Sequence, residues 1–173
     1  EVHAAATGVA AALQAKGVGV GGFVPLLMDR SSEMLIGMLG ILMAGAAYVP
    51  FAPYMPADRL TFMAEDCEAR AVLTTENHAT LAGSIGVEFV VCVGPDTPAG
   101  GQYTAPKMTQ MDNMMCLYTS GSTGTPKAVA LSHQAIVSHL WYLNTDYGYS
   151  ALDKYLQSIS FTFVASVPEL FGV

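Results

Sequence analysis

The run LYTSGSTGTPK, Leu117 to Lys127, sets five Ser or Thr hydroxyls and two glycines close together and ends them with a proline and a lysine. Glycine lets a backbone approach a ligand closely, and successive N–H groups in such a turn converge on an anion. Ser and Thr hydroxyls add donors that rotate to meet phosphate oxygens. Lys127 adds a cation in a chain with only seven Lys and Arg. The chemistry suited to this combination is the grip of a polyphosphate. A polar surface turn between two strands is the other reading of the same residues. The run is not a P-loop: counting from Gly121, Pro126 stands where the second glycine is required, and Ala128 follows Lys127 instead of Ser or Thr. A P-loop also opens a helix, whereas this run lies between two expected strands.

The elements that must position this loop are legible from periodicity and from stop signals. Ala4–Ala15 is an Ala-rich helix that stops at Gly17, and FVPLLM, Phe23–Met28, is a buried strand. Ser31 or Ser32 caps a helix with Glu33 in its first turn and Gly45 at its end. Ala46–Val49 is a short strand before a proline-rich loop. Asp58–Glu68 is an amphipathic helix with Leu60, Met63, Ala64 and Cys67 on one face. Strands follow at Arg70–Thr74 and Glu88–Val93, with a helix over Asn77–Ala82 between them. Gly94–Asp112 reads as a long surface connection. Met114–Tyr118 and Ala128–Leu131 are the strands on either side of the hydroxyl-rich turn. A helix from Ser132 or His133 to Leu143, a strand at Tyr155–Ser158 and a helix starting near Ala165 complete the pattern. Strand and helix alternate at short spacing, which predicts an α/β fold: right-handed βαβ units and a largely parallel sheet flanked by helices on both faces.

Composition narrows the function classes. The chain has 173 residues, 52% hydrophobic and only 12% charged, against about 25% charged in an ordinary free-standing domain. The formal net charge of −7 argues against nucleic acid as a partner. Met34–Ala57 carries no charge, but Pro50, Pro53 and Pro56 end any helix there. The uninterrupted part is shorter than the roughly 20 residues a membrane span needs. The N-terminal residues have no basic region followed by an apolar run and do not form a signal peptide. Cys67, Cys92 and Cys116 show no metal spacing, and the four histidines form no HExxH pattern. No metal ligands are expected, and the cysteines read as buried and reduced in a cytoplasmic protein.

YTSGSTGTPK closely resembles the phosphate-loop signature of the adenylate-forming enzymes, which include acyl-CoA synthetases, luciferases and the adenylation domains of nonribosomal peptide synthetases. ILMAGAAYVPFAPYMPADRL, Ile41 to Leu60, resembles the adenylation-domain pattern in which an AGAAYVP turn precedes YPADRL. ALSHQAIVSHL resembles the helix after the phosphate loop, with His133 at the family's recurrent histidine. The resemblance covers essentially the whole chain. It implies the N-terminal part of the large subdomain of an adenylation (AMP-binding) domain over residues 1–173, with the C-terminal lid and the adenine and ribose contacts lying outside it. The implied activity joins a carboxylic acid to ATP as an acyl-adenylate with loss of pyrophosphate, then passes the acyl group to a phosphopantetheine thiol on a carrier domain of a multidomain synthetase. By resemblance, Thr119, Ser120, Gly121, Ser122, Thr123, Gly124 and Lys127 hold the β- and γ-phosphates, Thr123 and Lys127 take the catalytic role, and Mg²⁺ bridges phosphate oxygens. Ala128 departs from the family, which usually has Gly there, and is expected to stiffen the loop exit. The 173-residue piece alone is expected to bind ATP weakly and to catalyse nothing. A stand-alone acyl-CoA synthetase and a non-catalytic scaffold module remain alternatives.

SFTFVASVPELFG, Ser160 to Gly172, resembles the family's substrate-pocket motif F-D-x-S-V-W-E-L-F. Phe163, Ser166, Val167, Glu169, Leu170 and Phe171 match it, Val164 falls on the Asp and Pro168 on the Trp. In amino-acid-activating members that Asp pairs with the substrate's α-ammonium. A buried ammonium without a counter-charge costs several kcal/mol. Phe163, Val164, Ala165 and Pro168 are therefore the expected substrate-binding residues, and the expected substrate lacks an α-ammonium: an α-keto acid first, an α-hydroxy acid or another unaminated acid next. A β-amino acid fits less well, because Ala165 offers no displaced carboxylate. A domain that has lost specificity, or a carboxylate supplied from beyond Val173, is the competing explanation.

Overall fold

The computed structural model describes residues 1–95, 97, 100–121, 124–150 and 152–172. Its frame is one six-stranded sheet. The strands are β1 (Phe23–Leu27), β2 (Ala47–Phe51), β3 (Ala71–Thr74), β4 (Phe89–Cys92), β5 (Asn113–Ser120) and β6 (Pro126–Ser132), in the order β4-β3-β1-β2-β5-β6. The pairs β1–β2, β1–β3, β2–β5 and β3–β4 are parallel, and among the described residues only β5–β6 is antiparallel. The expected α/β class, with a largely parallel sheet flanked by helices, is the observed one.

The period-2 pattern of each strand divides its side chains between two cores. Val24, Leu26, Tyr48, Leu73, Met115 and Leu117 pack on one face under α1 (Val2–Ala15) and α2 (Ser32–Ala44). Leu27, Val49, Phe51, Val72 and Cys116 pack on the other face under α3 (Ala57–Asp66) and α4 (Ala79–Gly83). Burial on both faces explains why these strands read as near-continuous apolar runs. Of the expected helix Asn77–Ala82, the first part is a single 3₁₀ turn, Glu76–His78, running into α4.

Each helix stops where its end residues require. The Ser31 hydroxyl accepts the Met34 N–H at 3.2 Å and opens α2. Gly45, at φ 92°, closes it, with the N–H groups of Gly45 and Ala46 donating to the Leu42 and Ile41 carbonyls. Within α2, Gly37 and Gly40 serve close packing and do not interrupt the helix. A Cβ on Gly37 would lie 2.9 Å from both Leu26 Cδ1 and Leu73 Cδ2, so α2 rests on the sheet there. A Cβ on Gly40 would collide with the Val9 side chain, so α1 crosses α2 at that point.

The long connection Gly94–Asp112 contains no helix or strand among its described residues and is tied down on α1. The Gln14 side-chain amide donates to the Thr104 carbonyl at 2.8 Å and accepts the Thr104 N–H at 3.2 Å. Cys67 and Cys116 are buried and Cys92 is half-buried, and all three are free thiols. Burial foremost pushes the Cys67 thiol up to about 12. Among the described residues no helix is long and apolar enough to cross a membrane.

One expected strand near the C-terminus is not found. Tyr155–Ser158 is not a strand. The Ser158 and Ile159 N–H groups donate to the Glu169 carboxylate at 2.9 and 3.0 Å, and the Ser158 carbonyl accepts from Arg30 at 3.1 Å. Side chains have thus taken the backbone groups that a ladder would use. The Ile159 N–H foremost, with the Ser158 N–H and hydroxyl, holds the Glu169 carboxyl below its ordinary value. The chain then turns through a 3₁₀ segment, Val164–Ser166, into α6 (Val167–Phe171), which has Pro168 in its first turn. The α5 helix (His133–Tyr147) and the segment after it leave Val137, Trp141, Tyr142, Leu152 and Leu156 exposed.

Two variants test this packing. Gly40→Val should destabilise the chain by roughly 1–3 kcal/mol in chemical denaturation. Gly83→Ala, whose Cβ meets nothing within 4 Å, should leave it unchanged or about 0.5 kcal/mol more stable. Tyr118 Oη lies 2.7 Å from Asp66 Oδ2 and 3.1 Å from the Met63 carbonyl, joining β5 to the end of α3. Tyr118→Phe should cost about 1 kcal/mol by the same measurement.

Candidate active site

The hydroxyl-rich run folds as a hairpin hung on the parallel sheet. Thr119 and Ser120 are the last residues of β5, and they pair with Lys127 and Pro126 at the start of β6. The turn between them contains Ser122 and Thr123, two of the expected phosphate donors, which lie outside the described residues. Gly124 has φ 83° and donates its N–H to the Gly121 carbonyl at 2.9 Å. A Cβ on Gly121 would strike the Thr125 carbonyl oxygen and lie 3.3 Å from Lys127 Cγ and Cε. Only glycine therefore fits at Gly121, and the Lys127 side chain lies along that glycine. Thr119, Ser120, Gly124 and Lys127 are exposed and Gly121 half-buried. Ala128 continues the ladder opposite Tyr118.

A cavity of about 480 Å³ opens at this end of the sheet. Three segments that are distant in the chain line it: Tyr54, Met55 and Arg59 from the β2–α3 connection and the first turn of α3, Leu117 to Ser120 from the end of β5, and Thr162, Phe163 and Val164 from the turn before α6. The carboxyl ends of parallel strands are where open α/β sheets hold ligands. Tyr118 stands at the base of the arrangement, and burial foremost, then the bond to Asp66, raises its hydroxyl above the ordinary tyrosine value. Its hydroxyl bonds to Asp66 and the Met63 carbonyl, a structural tie between β5 and α3.

The structure thus brings Thr119, Ser120, Phe163 and Val164 to one cavity. Ala165 and Pro168, the other two expected substrate contacts, do not line it: Ala165 is exposed beyond it and Pro168 is half-buried in α6. Sequence reasoning missed Tyr54, Met55, Arg59 and Thr162 as lining residues. The segment PYMPADRL had carried a resemblance, and its proline run before a helix already marked a loop, but nothing in it told which strand end it would face. His133 sits at the start of α5, where the Ser132 hydroxyl accepts the Ala135 N–H at 3.2 Å. Burial foremost holds the imidazole below its ordinary value, against the charge of Asp112.

The electrostatics of the lining are one-sided. It contains one cation, Arg59, and no carboxylate among the described residues. Nor do the described residues bring three His, Cys, Asp or Glu together as a metal cage anywhere. The hydroxyls of Tyr54, Thr119, Ser120 and Thr162 suit a Mg²⁺ carried on phosphate oxygens, which keeps much of its water.

The AMP-binding enzyme family profile matches residues 1–173. Among curated relatives, tyrocidine synthase 3 of Brevibacillus parabrevis is 37% identical over 183 residues, which cover 99% of this chain and 3% of the relative. The nonribosomal peptide synthetase otaB of Aspergillus carbonarius (strain ITEM 5010) is 43% identical over 156 residues, 88% of this chain and 8% of the relative. A crystal structure of the nonribosomal peptide synthetase FmoA3 superposes with a TM-score of 0.87 at 25% identity, covering 99% of this chain and 18% of that one. The chain therefore spans a small part of the relatives it matches. With the hairpin, the cavity and these likenesses together, the chain belongs to the AMP-binding enzyme family and is similar to parts of nonribosomal peptide synthetases.

Proposed function

We propose that residues 1–173 are the N-terminal portion of an adenylation domain that activates a carboxylic acid without an α-ammonium, an α-keto acid or next an α-hydroxy acid. The observation that carries this reading is the charge balance of the cavity. Its described lining offers an arginine and no anion, and Val164 presents an apolar side chain beside Phe163. A substrate ammonium would face a cation and a hydrocarbon surface, an arrangement that costs several kcal/mol once water is excluded. An oxo or hydroxyl group carries no such penalty.

In the proposed reaction a carboxylate oxygen of the acid attacks the α-phosphorus of ATP, the bond to the β-phosphate oxygen breaks, and pyrophosphate leaves. A phosphopantetheine thiolate of a carrier domain then attacks the acyl carbon and AMP departs. Thr119, Ser120, Gly121 and Gly124, with Ser122 and Thr123, would hold the leaving phosphates, and the Lys127 ammonium would offset the charge that grows there. Mg²⁺ bound to the phosphates supplies further charge neutralisation. The shares of the relatives' length given above fit a piece of a multidomain synthetase whose other parts complete the nucleotide site, so the 173-residue chain alone should bind ATP weakly and not turn over.

ATP–pyrophosphate exchange on the full-length protein tests the reading. Exchange should be supported by α-keto acids, and Val164→Asp should move preference toward the matching α-amino acid by at least about tenfold. Strong exchange with an α-amino acid and none with its keto analogue would remove the proposal. Lys127→Ala should lower the exchange rate by about a hundredfold, as loss of one preorganised donor to developing charge does.

A further inference from the structure

We propose that Arg59 is a ligand-binding residue of this cavity, and that its guanidinium pairs with an oxyanion of the bound ligand. The proposal deepens the function above and rests on it for the kind of ligand, not for the residue's role. Arg59 is the third residue of α3, in the first turn, where the positive end of the helix dipole disfavours a cation. A position that opposes the charge calls for a compensating partner, and none is found among the described residues. Asp58, its neighbour in the same turn, does not bond to it, and the ion pairs among the described residues are Arg70–Glu88 and His78–Asp29. Its Nε is buried and makes no hydrogen bond.

The other arginines are satisfied. Arg70 donates from Nε and Nη2 to Glu88 Oε2, and Arg30 donates to the Ser158 carbonyl. Buried donors of charged groups are rarely left unpaired, because desolvation is not returned. Arg59 differs from these two in one further respect: it lines the cavity that Thr119 and Ser120 also line. Arg59, Thr119 and Ser120 line one space whose described lining carries no carboxylate. The ligand chemistry that completes it is an oxyanion, for which the planar fork of arginine is suited by shape. That oxyanion has two sources in the proposed reaction: the phosphate chain of the nucleotide and the carboxylate of the acid.

The test uses the full-length protein with two probes that need no turnover, sodium tripolyphosphate and pyruvate, each titrated calorimetrically. Arg59→Gln and Arg59→Met both remove the charge, and the second keeps the packing of the aliphatic stem. If either variant melts far below the wild type, the other carries the measurement. The expected result is at least about tenfold weaker binding of one probe, with Arg59→Lys recovering part of the loss. A loss confined to tripolyphosphate places the guanidinium on the nucleotide's phosphates, and one confined to pyruvate places it on the acid. Binding of both probes within twofold of wild type in a folded neutral variant overturns the proposal. The tripolyphosphate titration does not depend on whether the natural acid is aminated. A protein that exchanges pyrophosphate only with an amino acid, yet loses tripolyphosphate with Arg59→Gln, would refute the substrate reading and leave this one standing.

Discussion

The antiparallel pairing of β6 onto β5 is the contact on which the site depends. The rest of the sheet is parallel, so every other connection must cross over a face and return. This one connection can be short, and its shortness places a glycine-rich turn at the carboxyl edge of the sheet. The ladder from Asn113–Ser132 to Ser120–Pro126 holds Thr119 across from Lys127. Thr119 and Lys127, eight residues apart in the chain, are thereby set opposite each other. Gly121 is essential to that geometry, since any side chain there would meet the Thr125 carbonyl.

The hairpin would position nothing if β5 were free to move. Its inner half is buried between the two cores through Met115, Cys116 and Leu117, and Tyr118 ties its outer half to α3 through Asp66 and the Met63 carbonyl. The same helix begins with Arg59. Fixing β5 against the end of α3 also fixes Thr119 and Ser120 relative to Arg59 in its first turn. Rigidity and charge placement share one set of contacts, so the cavity's electrostatics follow from how the sheet is packed. The third segment of the lining, Thr162 to Val164, lies between Phe161 and Val167, both buried in the core. Just before it, the Glu169 carboxylate bonds the backbone at Ser158 and Ile159.

Much of the fold was legible beforehand because it is written locally. Apolar runs bounded by Gly and Pro marked the strands, and Ser31 and Gly45 marked the ends of α2 because capping chemistry acts within one turn. The strand expected at Tyr155–Ser158 failed for a reason no local pattern contains: Glu169 and Arg30, distant in sequence, take its backbone groups. Resemblance to one motif grouped Ala165 and Pro168 with Phe163 and Val164, whereas only the latter two line the cavity, the 3₁₀ turn beginning at Val164.

The sequence by itself determined most of the elements, the donor-rich turn between two strands and the lack of a carboxylate at Val164, since each depends on residue type and on spacing over a few positions. Tertiary structure decided which of these meet. The order β4-β3-β1-β2-β5-β6 brings the end of β2, the end of β5 and the turn before α6 to one space, and so reveals Arg59 as the cation of that space. Such adjacency arises from burying both faces of a shared sheet, an energy summed over the whole core, which no short stretch of chain encodes.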